Sequence, residues 1–367
     1  MKKIGIITWF GGSNYGTSLQ AYALYHSIEK LNAKPYLLRK HLTWRNVIGN
    51  FIRYVKGVTR PNPSQGLSSI KQKKILIFKK RHFNQFPLCI GYIGRILYTF
   101  QIKQLNCIIS GSDQLWNPYY TEPFLLLLNL RTSKYSYASS IGVSEIPSQF
   151  YSLYEKALAD FSAISVREAA AIKPLKKLTD RPIIKVVDPT FLLTQSEWMK
   201  FAEDSSLNEC QINQPYILCY FIADNDYYWE TVQELQTLSD IKRVIIIPMK
   251  PGHFKEQYEI IETVGIEDFV QLIAKSKFVC TDSFHATAFS INLQKDFITL
   301  LRFKDADPSS QNTRLYDLLK QYKLEDRLIK NSISPSLLHI DYTISANILR
   351  EDRAKSMDYL KNIVNNN

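Results

Sequence analysis

A histidine lies within the ten residues of this sequence that are best suited to chemistry, residues 281–290, which read Thr-Asp-Ser-Phe-His-Ala-Thr-Ala-Phe-Ser. They follow an apolar run that ends at Cys280, so we expect a buried strand to end here and a helix to begin. Parallel α/β sheets bind ligands beside the carboxyl ends of their strands, and the amides of a helix N-terminus attract anions. His285 is therefore predicted to transfer a proton on an anionic substrate. The alternative is a histidine that only caps the turn.

Several cations accompany this histidine. Arg302 and Lys304 follow the next predicted strand, and Arg314 precedes a predicted helix. Arg167 follows a strand in the first half of the chain, and an arginine matches carboxylates and phosphates with paired hydrogen bonds. We predict no ion pair between Arg167 and Glu168, because adjacent positions on a helix do not face each other. One histidine with several cations, without metal-ligand spacing, indicates general acid–base catalysis on an anion.

Two loops in the first half are candidates for binding a sugar or a phosphate. Residues 11–17 read Gly-Gly-Ser-Asn-Tyr-Gly-Thr between a predicted strand and a helix, where amides can hold a phosphate or a sugar hydroxyl; tight-turn glycines are the alternative. Residues 111–118 also follow a strand and contain Asp113 and Trp116, a carboxylate and a ring that suit a sugar. An Asx turn or a helix cap explains Asp113 equally well. A further turn, at Asp188, is predicted to be structural.

Apolar strands alternate with helical patterns along both halves of the chain, which predicts the α/β fold class. We expect two Rossmann-like, doubly wound domains that face each other across a cleft. The first is predicted at residues 1–200, with a basic insertion at about 40–105, and the second at 214–340, where it carries the His285 loop. Residues 341–367 are predicted to form a C-terminal helix. The stretch between the two domains is polar and has no periodic pattern.

The positive charge of the chain is concentrated in one segment. The 367 residues carry a net charge of +12, yet residues 30–112 hold sixteen Lys and Arg and no Asp or Glu. Within this segment, residues 44–58 show apolar residues at helical spacing with basic residues off that face, and Trp44 lies on the apolar side. This pattern predicts an amphipathic basic helix that contacts a membrane surface or packs on the protein's own core. No nucleic-acid-binding motif is found, so we expect no nucleic-acid partner.

Composition also predicts the location of the protein. No run of about 18 apolar residues occurs, so no membrane span is expected. The five cysteines are scattered and form no Cys-x-x-Cys pair, which is typical of buried thiols in a reducing compartment. We therefore expect a cytoplasmic protein, with peripheral contact at the inner face of the plasma membrane through the basic helix.

A series of short motifs occurs in an order that resembles the polysaccharide pyruvyl transferase family over nearly the whole chain. They are Asn-Tyr-Gly at 14–16, Leu-Gln-Ala-Tyr-Ala-Leu at 19–24, Gly-Ser-Asp-Gln-Leu-Trp-Asn-Pro at 111–118, Ser-Val-Arg-Glu at 165–168, Asp-Pro-Thr at 188–190 and Thr-Asp-Ser-Phe-His at 281–285. The resemblance implies a two-domain fold of the GT-B type. It also implies a bacterial enzyme of surface polysaccharide assembly that moves the enolpyruvyl carbons of phosphoenolpyruvate onto two hydroxyls of one sugar, forming a cyclic ketal and releasing phosphate.

The resemblance further implies roles for individual residues. His285 would transfer the proton. The donor would be held by Arg167, Ser283, Arg302, Lys304 and Arg314, and the acceptor by Asn14, Tyr15, Asp113, Gln114 and Trp116. Neither a metal nor a cofactor is implied, because phosphoenolpyruvate is a co-substrate. The second substrate would be a saccharide, free or lipid-linked, of a capsule or exopolysaccharide.

One position departs from the family pattern. Members tend to carry an arginine two places before the histidine, and this chain has Ser283 there. Three explanations stay open: the missing charge comes from Arg302 or Arg314, the donor is different, or catalysis is lost. The alternatives to pyruvyl transfer are accordingly a GT-B glycosyltransferase that uses a nucleotide sugar and a non-catalytic glycan-binding subunit of the same fold.

Overall fold

The computed structural model divides the chain into two units. The described residues are 1–10, 14–42, 44, 48, 69–208, 212–304, 307, 310–330 and 332–366. The first unit comprises Met1–Leu67, Leu76–Leu192 and Lys355–Asn367, and the second comprises Ser68–Ile75 and Leu193–Ala354. Each unit has its own parallel sheet and its own hydrophobic core.

The first unit is built on a parallel sheet of six strands. They are β1 (Lys3–Ile7), β2 (Lys34–Leu37), β3 (Cys107–Ser110), β4 (Ser133–Ser136), β5 (Phe161–Val166) and β6 (Ile183–Lys185), in the spatial order β2-β1-β3-β4-β5-β6. Every residue of β3 is buried, as is typical of a parallel strand covered on both faces. The helices of this unit are α1 (Tyr15–Lys30), the second half of α2 (Ser69–His82), α3 (Gly91–Lys103), α4 (Tyr151–Leu158), α5 (Ile172–Lys176) and the end of α11 (Thr343–Asn365).

The second unit repeats this architecture. Its strands are β7 (Ile217–Tyr220), β8 (Val244–Ile246), β9 (Glu259–Ile260), β10 (Phe278–Thr281), β11 (Asp296–Leu300) and β12 (Leu328–Ile329), in the spatial order β12-β11-β10-β7-β8-β9. Its helices are the first halves of α2 and α11, together with α6 (Gln195–Ala202), α7 (Asp226–Ser239), α8 (Ile266–Lys275), α9 (Phe284–Asn292) and α10 (Thr313–Gln321). The predicted fold class of two Rossmann-like α/β domains is confirmed.

Both sheets reverse their strand order at one point. In the first sheet the chain leaves β1 for β2 on one side and later enters β3 on the other. In the second sheet it leaves β7 for β8 and later enters β10 on the other side. Ligands of open parallel sheets bind beside the carboxyl ends of the two strands that flank such a switch point. The motifs at 111–118 and 281–290 begin where β3 and β10 end, so each lies at one of these two switch points.

One described helix, α3, was not predicted from the sequence. The basic helix predicted at 44–58 lies outside the described residues except for Trp44 and Ile48, whose side chains are exposed. α3 has no counterpart among the predicted elements, because its apolar residues do not mark an inward face. Among the described helices, none combines the length and the apolar character needed to cross a bilayer.

The boundary between the two units differs from the predicted one. The second unit begins at Leu193, so α6 and the polar stretch after it belong to this unit rather than to a linker. The reason is a buried carboxylate in α8: Asp268 accepts hydrogen bonds from the hydroxyl of Ser205 and the amide of Ser206, both at 2.8 Å. Polar residues that satisfy a tertiary contact look the same in the sequence as a solvated linker. The C-terminal helix predicted at 341–367 is present as α11, which begins in the second unit and ends in the first.

A buried histidine connects the strand ends of the second sheet. His253 follows β8; its Nδ1 accepts a hydrogen bond from the amide of Met249 (3.1 Å), and its Nε2 donates to the carbonyl of Ala223 after β7 (2.8 Å). The amide of Ala223 donates in turn to Asp282 after β10 (2.9 Å). A neutral imidazole with its proton on Nε2 satisfies both contacts, and burial lowers the pKa of His253.

We predict that His253 makes the second unit sensitive to acid. The unfolded chain protonates this histidine near its ordinary pKa of about 6.5, whereas the folded protein takes up the same proton only at lower pH. The free energy of unfolding should therefore be unaffected by this group above about pH 6.5 and should fall as the pH drops below that value. Thermal unfolding midpoints between about pH 8 and about pH 5 should decline more steeply in the wild type than in His253→Gln, which removes the titrating ring.

The matched control is His339→Gln, which changes a histidine whose side chain is 85% exposed. This variant should follow the wild type over the whole pH range. Equal slopes for the wild type and His253→Gln would contradict the assignment of a neutral buried imidazole.

Candidate functional site

The predicted catalytic histidine lies at the switch point of the second sheet. β10 ends at Thr281 and α9 begins at Phe284, so His285 occupies the first turn of α9, with 5% of its surface exposed. The side chain of Ser283 caps this helix by accepting a hydrogen bond from the amide of Ala286 (3.4 Å). His285 therefore stands beside a helix N-terminus, where backbone amides favour an anion.

The turn before His285 is fixed by a buried carboxylate. Asp282 accepts hydrogen bonds from the amides of Ile222 and Ala223, at 2.6 and 2.9 Å. It also accepts one from the hydroxyl of Tyr228, at 3.1 Å. Burial and, after it, the charge of Asp282 raise the pKa of Tyr228, which keeps the phenol protonated as a donor. The end of β10 is thereby tied to the end of β7 and to α7.

Two of the three cations predicted to follow His285 lie around this turn. Nε of Arg302 is 3.5 Å from the carboxylate of Asp282, and its guanidinium also donates to the Asp282 carbonyl (3.3 Å). Arg314 is nearly buried, and its guanidinium carbon lies 5.8 Å from the ring centroid of Phe284. Lys304 is exposed. Within the described contacts, the structure brings Arg302 and Arg314 to the turn but not Lys304.

Ser283, which stands where the family pattern has an arginine, contributes to the helix rather than to the charge of the site. Besides the cap, its carbonyl accepts hydrogen bonds from the amide and the hydroxyl of Thr287, both at 3.0 Å. Arg314 also lies beside this helix, and its guanidinium is oriented by the side-chain oxygen of Gln311 at 2.7 Å. A positive charge is therefore present beside α9 although position 283 carries none.

The switch point of the first sheet carries Asp113 in a strained backbone conformation. Asp113 follows β3 with φ 65° and ψ −170°, a region that is almost restricted to glycine. Its carboxylate accepts hydrogen bonds from the hydroxyl of Thr17 in α1 (3.1 Å) and from the amide of Gln114 (3.0 Å). Strain of this kind is concentrated at ligand-binding and active sites. Thr17 belongs to the candidate loop at 11–17, but its contact with Asp113 was not predicted.

Arg167 is the centre of a buried ion-pair network in the first unit. It donates from Nε to Glu168 and from one terminal nitrogen to Asp188, both at 2.8 Å, and the hydroxyl of Ser112 donates to Asp188 (3.2 Å). Burial lowers the pKa of Arg167, but Glu168, Asp188 and Asp113 raise it by more, so the net shift is upward. Three carboxylates around one guanidinium give the network a negative charge. This disagrees with the predicted role of Arg167 as a ligand for an anionic donor.

The prediction that Arg167 and Glu168 do not pair is wrong. Glu168 is not helical: its backbone is extended, with φ −98° and ψ 136°, and the 3₁₀ helix begins after it, at Ala169. The rule for adjacent helix positions therefore does not apply. Asp188 has the structural role that was predicted, because its other oxygen accepts hydrogen bonds from the amide and the hydroxyl of Thr190 (3.0 and 2.7 Å), but it is also a member of the ion network.

Two aromatic residues predicted to bind the acceptor belong to the core instead. Trp116 is fully buried, its ring meets Phe161 edge-on at 5.4 Å, and its Nε1 donates to the hydroxyl of Ser110 (3.1 Å). Tyr15 is fully buried as well. Neither ring offers an accessible face to a sugar, so these two predictions are wrong. A large ring that directly follows a strand has more apolar surface to bury in the core than a ligand would cover.

The other two acceptor candidates make short-range hydrogen bonds with their side chains. The side chain of Asn14 accepts a hydrogen bond from the amide of Gly16 (3.0 Å) at the start of α1 and is half-buried. The side-chain oxygen of Gln114 accepts one from Asn117 (2.8 Å). Residues 11–13, the first part of the predicted glycine loop, lie outside the described residues. Asn14, Gln114 and Asp113 thus remain the candidates on this side.

Comparison with known sequences points to one family. The sequence model of the family described as polysaccharide pyruvyl transferase matches residues 14–302, which is most of the chain. The match includes His285, Asp113 and Arg302 and ends before Arg314. No curated protein matches the sequence.

Solved structures resemble the fold. A protein of Listeria monocytogenes, assigned as a UDP-N-acetylglucosamine 2-epimerase, has a TM-score of 0.52 at 11% identity, over 97% of this chain and 91% of that chain. MnaA of S. aureus, in a structure with UDP, has a TM-score of 0.49 at 13% identity, over 97% of both chains. At such low identity the first similarity shows the fold alone, which is the predicted two-domain GT-B type.

Substitutions at Asp113 can separate its backbone strain from its side-chain contacts. Asp113→Gly and Asp113→Ala both remove the carboxylate, but only glycine adopts φ 65° and ψ −170° without strain. We predict that the free energy of unfolding of the glycine variant exceeds that of the alanine variant by about 1–2 kcal/mol. Glycine relieves the backbone strain, and the greater entropy of glycine in the unfolded chain offsets part of that gain. Chemical denaturation followed by circular dichroism measures the difference.

The control pair is Asp226→Gly and Asp226→Ala, at an exposed position in the first turn of α7. Here the order should reverse, with alanine more stable by up to about 1 kcal/mol, because glycine is the poorer helix former. An alanine variant at 113 that equals or exceeds the glycine variant would show that the backbone there is unstrained.

Proposed function

The chain belongs to the polysaccharide pyruvyl transferase family, and we propose that it transfers the enolpyruvyl group of phosphoenolpyruvate to a sugar of a surface polysaccharide or of its lipid-linked precursor. The product would be a pyruvate ketal that bridges two hydroxyls of that sugar, and phosphate would be released. The observation that supports this most directly is the position of His285 in the first turn of α9, at a switch point, with Arg302 and Arg314 around the same turn.

We assign the donor to the second unit. Phosphoenolpyruvate carries a carboxylate and a phosphate, and guanidinium groups bind both with paired hydrogen bonds. Arg314 supplies a guanidinium beside Phe284. Arg302 supplies a second guanidinium, which lies beside Asp282 at the start of the same turn. The first amides of α9 add partial positive charge on the same side. In this proposal Arg314 supplies the positive charge that the family arginine would carry at position 283.

We assign the proton transfer from the attacking hydroxyl to His285. When the imidazolium of His285 gives a proton to the methylene carbon of phosphoenolpyruvate, C2 becomes oxocarbenium-like and forms a bond to the first sugar oxygen, whose proton passes to the imidazole. The second sugar oxygen then bonds to C2 as the bond from C2 to the phosphate oxygen breaks, and phosphate leaves with the remaining proton. Imidazole is the side chain best suited to accept and return a proton near neutral pH.

We assign the sugar acceptor to the carboxylates of the first unit. Asp113 is held by Thr17 and lies in a network with a negative charge, and carboxylates accept hydrogen bonds from sugar hydroxyls. A negative network also disfavours binding of the anionic donor at this place. Arg167 then acts as a positioning residue, because it holds Glu168 and Asp188 and does not bind the donor.

The first test is the dependence of the reaction on His285. We predict that phosphate release from phosphoenolpyruvate, measured with a panel of lipid-linked and synthetic glycosides, falls by about 10²–10⁴-fold in His285→Ala, the usual contribution of a general acid–base group. The product of the wild type should have the mass of a pyruvate ketal. His339→Ala, at an exposed histidine, should retain full activity.

Calorimetry distinguishes a failure of this proposal from an unsuitable acceptor panel. Wild type and His285→Ala should both bind phosphoenolpyruvate. If the wild type does not bind it but releases UDP from a UDP-sugar in the presence of an acceptor, the protein is a glycosyltransferase. If it binds a glycan and neither donor, it is a non-catalytic subunit.

The second test concerns the cation that replaces the family arginine. We predict that Arg314→Met weakens binding of phosphoenolpyruvate by about 10- to 100-fold, the range expected for the loss of hydrogen bonds to a charged group. Arg314→Lys should recover part of the affinity, since an ammonium keeps the charge but not the planar fork. The control is Lys320→Met, at an exposed lysine of the same helix. Unchanged affinity in Arg314→Met would assign the donor to Arg302 alone.

A further inference from the structure

One face of α3 exposes large apolar side chains to solvent. They are Tyr92, Ile93, Ile96, Leu97 and Phe100, which have 79, 73, 44, 53 and 60% of their surface exposed. Their positions, i, i+1, i+4, i+5 and i+8, place them within about 140° of the helix circumference. A surface helix normally turns such a face towards the core. A contiguous exposed apolar patch of this kind marks an interaction surface.

The opposite side of α3 is the one that packs on the protein. The buried residues of this helix are Gly91, Gly94 and Ile102. A Cβ added to Gly94 would lie 2.8 Å from the carbonyl carbon of Cys89, so only glycine permits this close approach. The side of α3 that carries the glycines therefore packs on the protein, and the apolar face points away from the unit.

Trp44 extends the exposed face at its N-terminal end. A Cβ added to Gly91 would lie 2.3 Å from Nε1 of Trp44, so the indole rests on the first residue of α3. The tryptophan is still 62% exposed. Trp44 and Tyr92 thus present two amphipathic rings at one end of an aliphatic face, an arrangement that suits the boundary between lipid headgroups and acyl chains.

The positive charge around this face favours an anionic partner. Arg95 and Lys103 are exposed on α3 itself, and residues 30–112 contain no acidic residue. A second copy of the chain that docked through the same face would bring two basic segments together, and like charges repel. An anionic bilayer offers negative charge to the cations and an apolar interior to the side chains.

We propose that the exposed face of α3, together with Trp44, is a membrane-docking surface that inserts into the interface of an anionic lipid bilayer. It lies outside the basic helix predicted at 44–58 except for Trp44. The docking does not depend on the proposed reaction, although it would place the first unit where lipid-linked saccharides are found.

The test compares two triple variants of the full chain in co-sedimentation with vesicles. Ile93→Ser/Leu97→Ser/Phe100→Ser removes the centre of the face. The control, Ile184→Ser/Phe254→Ser/Ile344→Ser, changes three other apolar residues with 46, 51 and 64% exposure. On vesicles of phosphatidylglycerol mixed with phosphatidylcholine, the first variant should bind at least about tenfold more weakly than the wild type, and the control should match the wild type. Binding should weaken with salt and be lost on phosphatidylcholine alone.

A second measurement reports the contact directly. Phosphatidylglycerol with brominated acyl chains should quench tryptophan fluorescence in the wild type and less so in Trp44→Phe, because Trp116, Trp198 and Trp229 are buried and Trp9 is half-buried. The proposal is overturned if the wild type does not bind the anionic vesicles or if both triple variants bind as it does. It is also overturned if the wild type is a dimer in analytical ultracentrifugation and the first variant alone is a monomer, since a second copy then covers the face.

Discussion

The geometry around His285 depends on the carboxylate of Asp282. A buried carboxylate persists only if its lone pairs are satisfied, because its desolvation is otherwise too costly. Here two amides after β7 and the phenol of Tyr228 donate hydrogen bonds to it, and the guanidinium of Arg302 places an opposite charge 3.5 Å away. These partners come from different segments of the second unit, so one residue sets the relative positions of the strand ends at the switch point. His253, which follows β8, connects this strand to the same group of residues by its hydrogen bond to the carbonyl of Ala223. The catalytic candidate is thus held by residues that need not touch a substrate.

In the first unit the strand ends are also connected by a buried charged group, but there the group is a cation. A buried guanidinium, that of Arg167, joins the ends of β5 and β6 by pairing with Asp188, and Ser112 connects the end of β3 to the same carboxylate. The carboxylates outnumber the cation, so the switch point of this sheet is negative while that of the second has two guanidinium groups near His285. Asp113 lies in this network in a conformation that favours glycine, which indicates that the position of its carboxylate is maintained against a cost in stability.

The sequence was sufficient where a local pattern has a single structural meaning. An apolar run followed by Asp-Ser-Phe-His predicted β10, its turn and α9, and alternating strands and helices predicted two parallel sheets. It was insufficient where burial depends on tertiary contacts. Trp116 follows a strand in a sugar-site context, yet it packs on Phe161. The pairing of Arg167 with Glu168 required the backbone to be extended at 168, and the motif alone is equally compatible with a helix.

At position 283, where the family pattern has an arginine, the structure gives Ser283 a role in the start of α9. A residue that precedes α9 has two tasks available, capping the helix and binding an anion, and a short hydroxyl side chain suits the first task better than arginine does. Ser283 performs it. The guanidinium can then come from α10, because the ring of Phe284 supports Arg314 on one side and Gln311 fixes its orientation. Since Arg314 lies beyond the end of the family match, its guanidinium beside α9 is visible only in the folded unit and not in the matched residues.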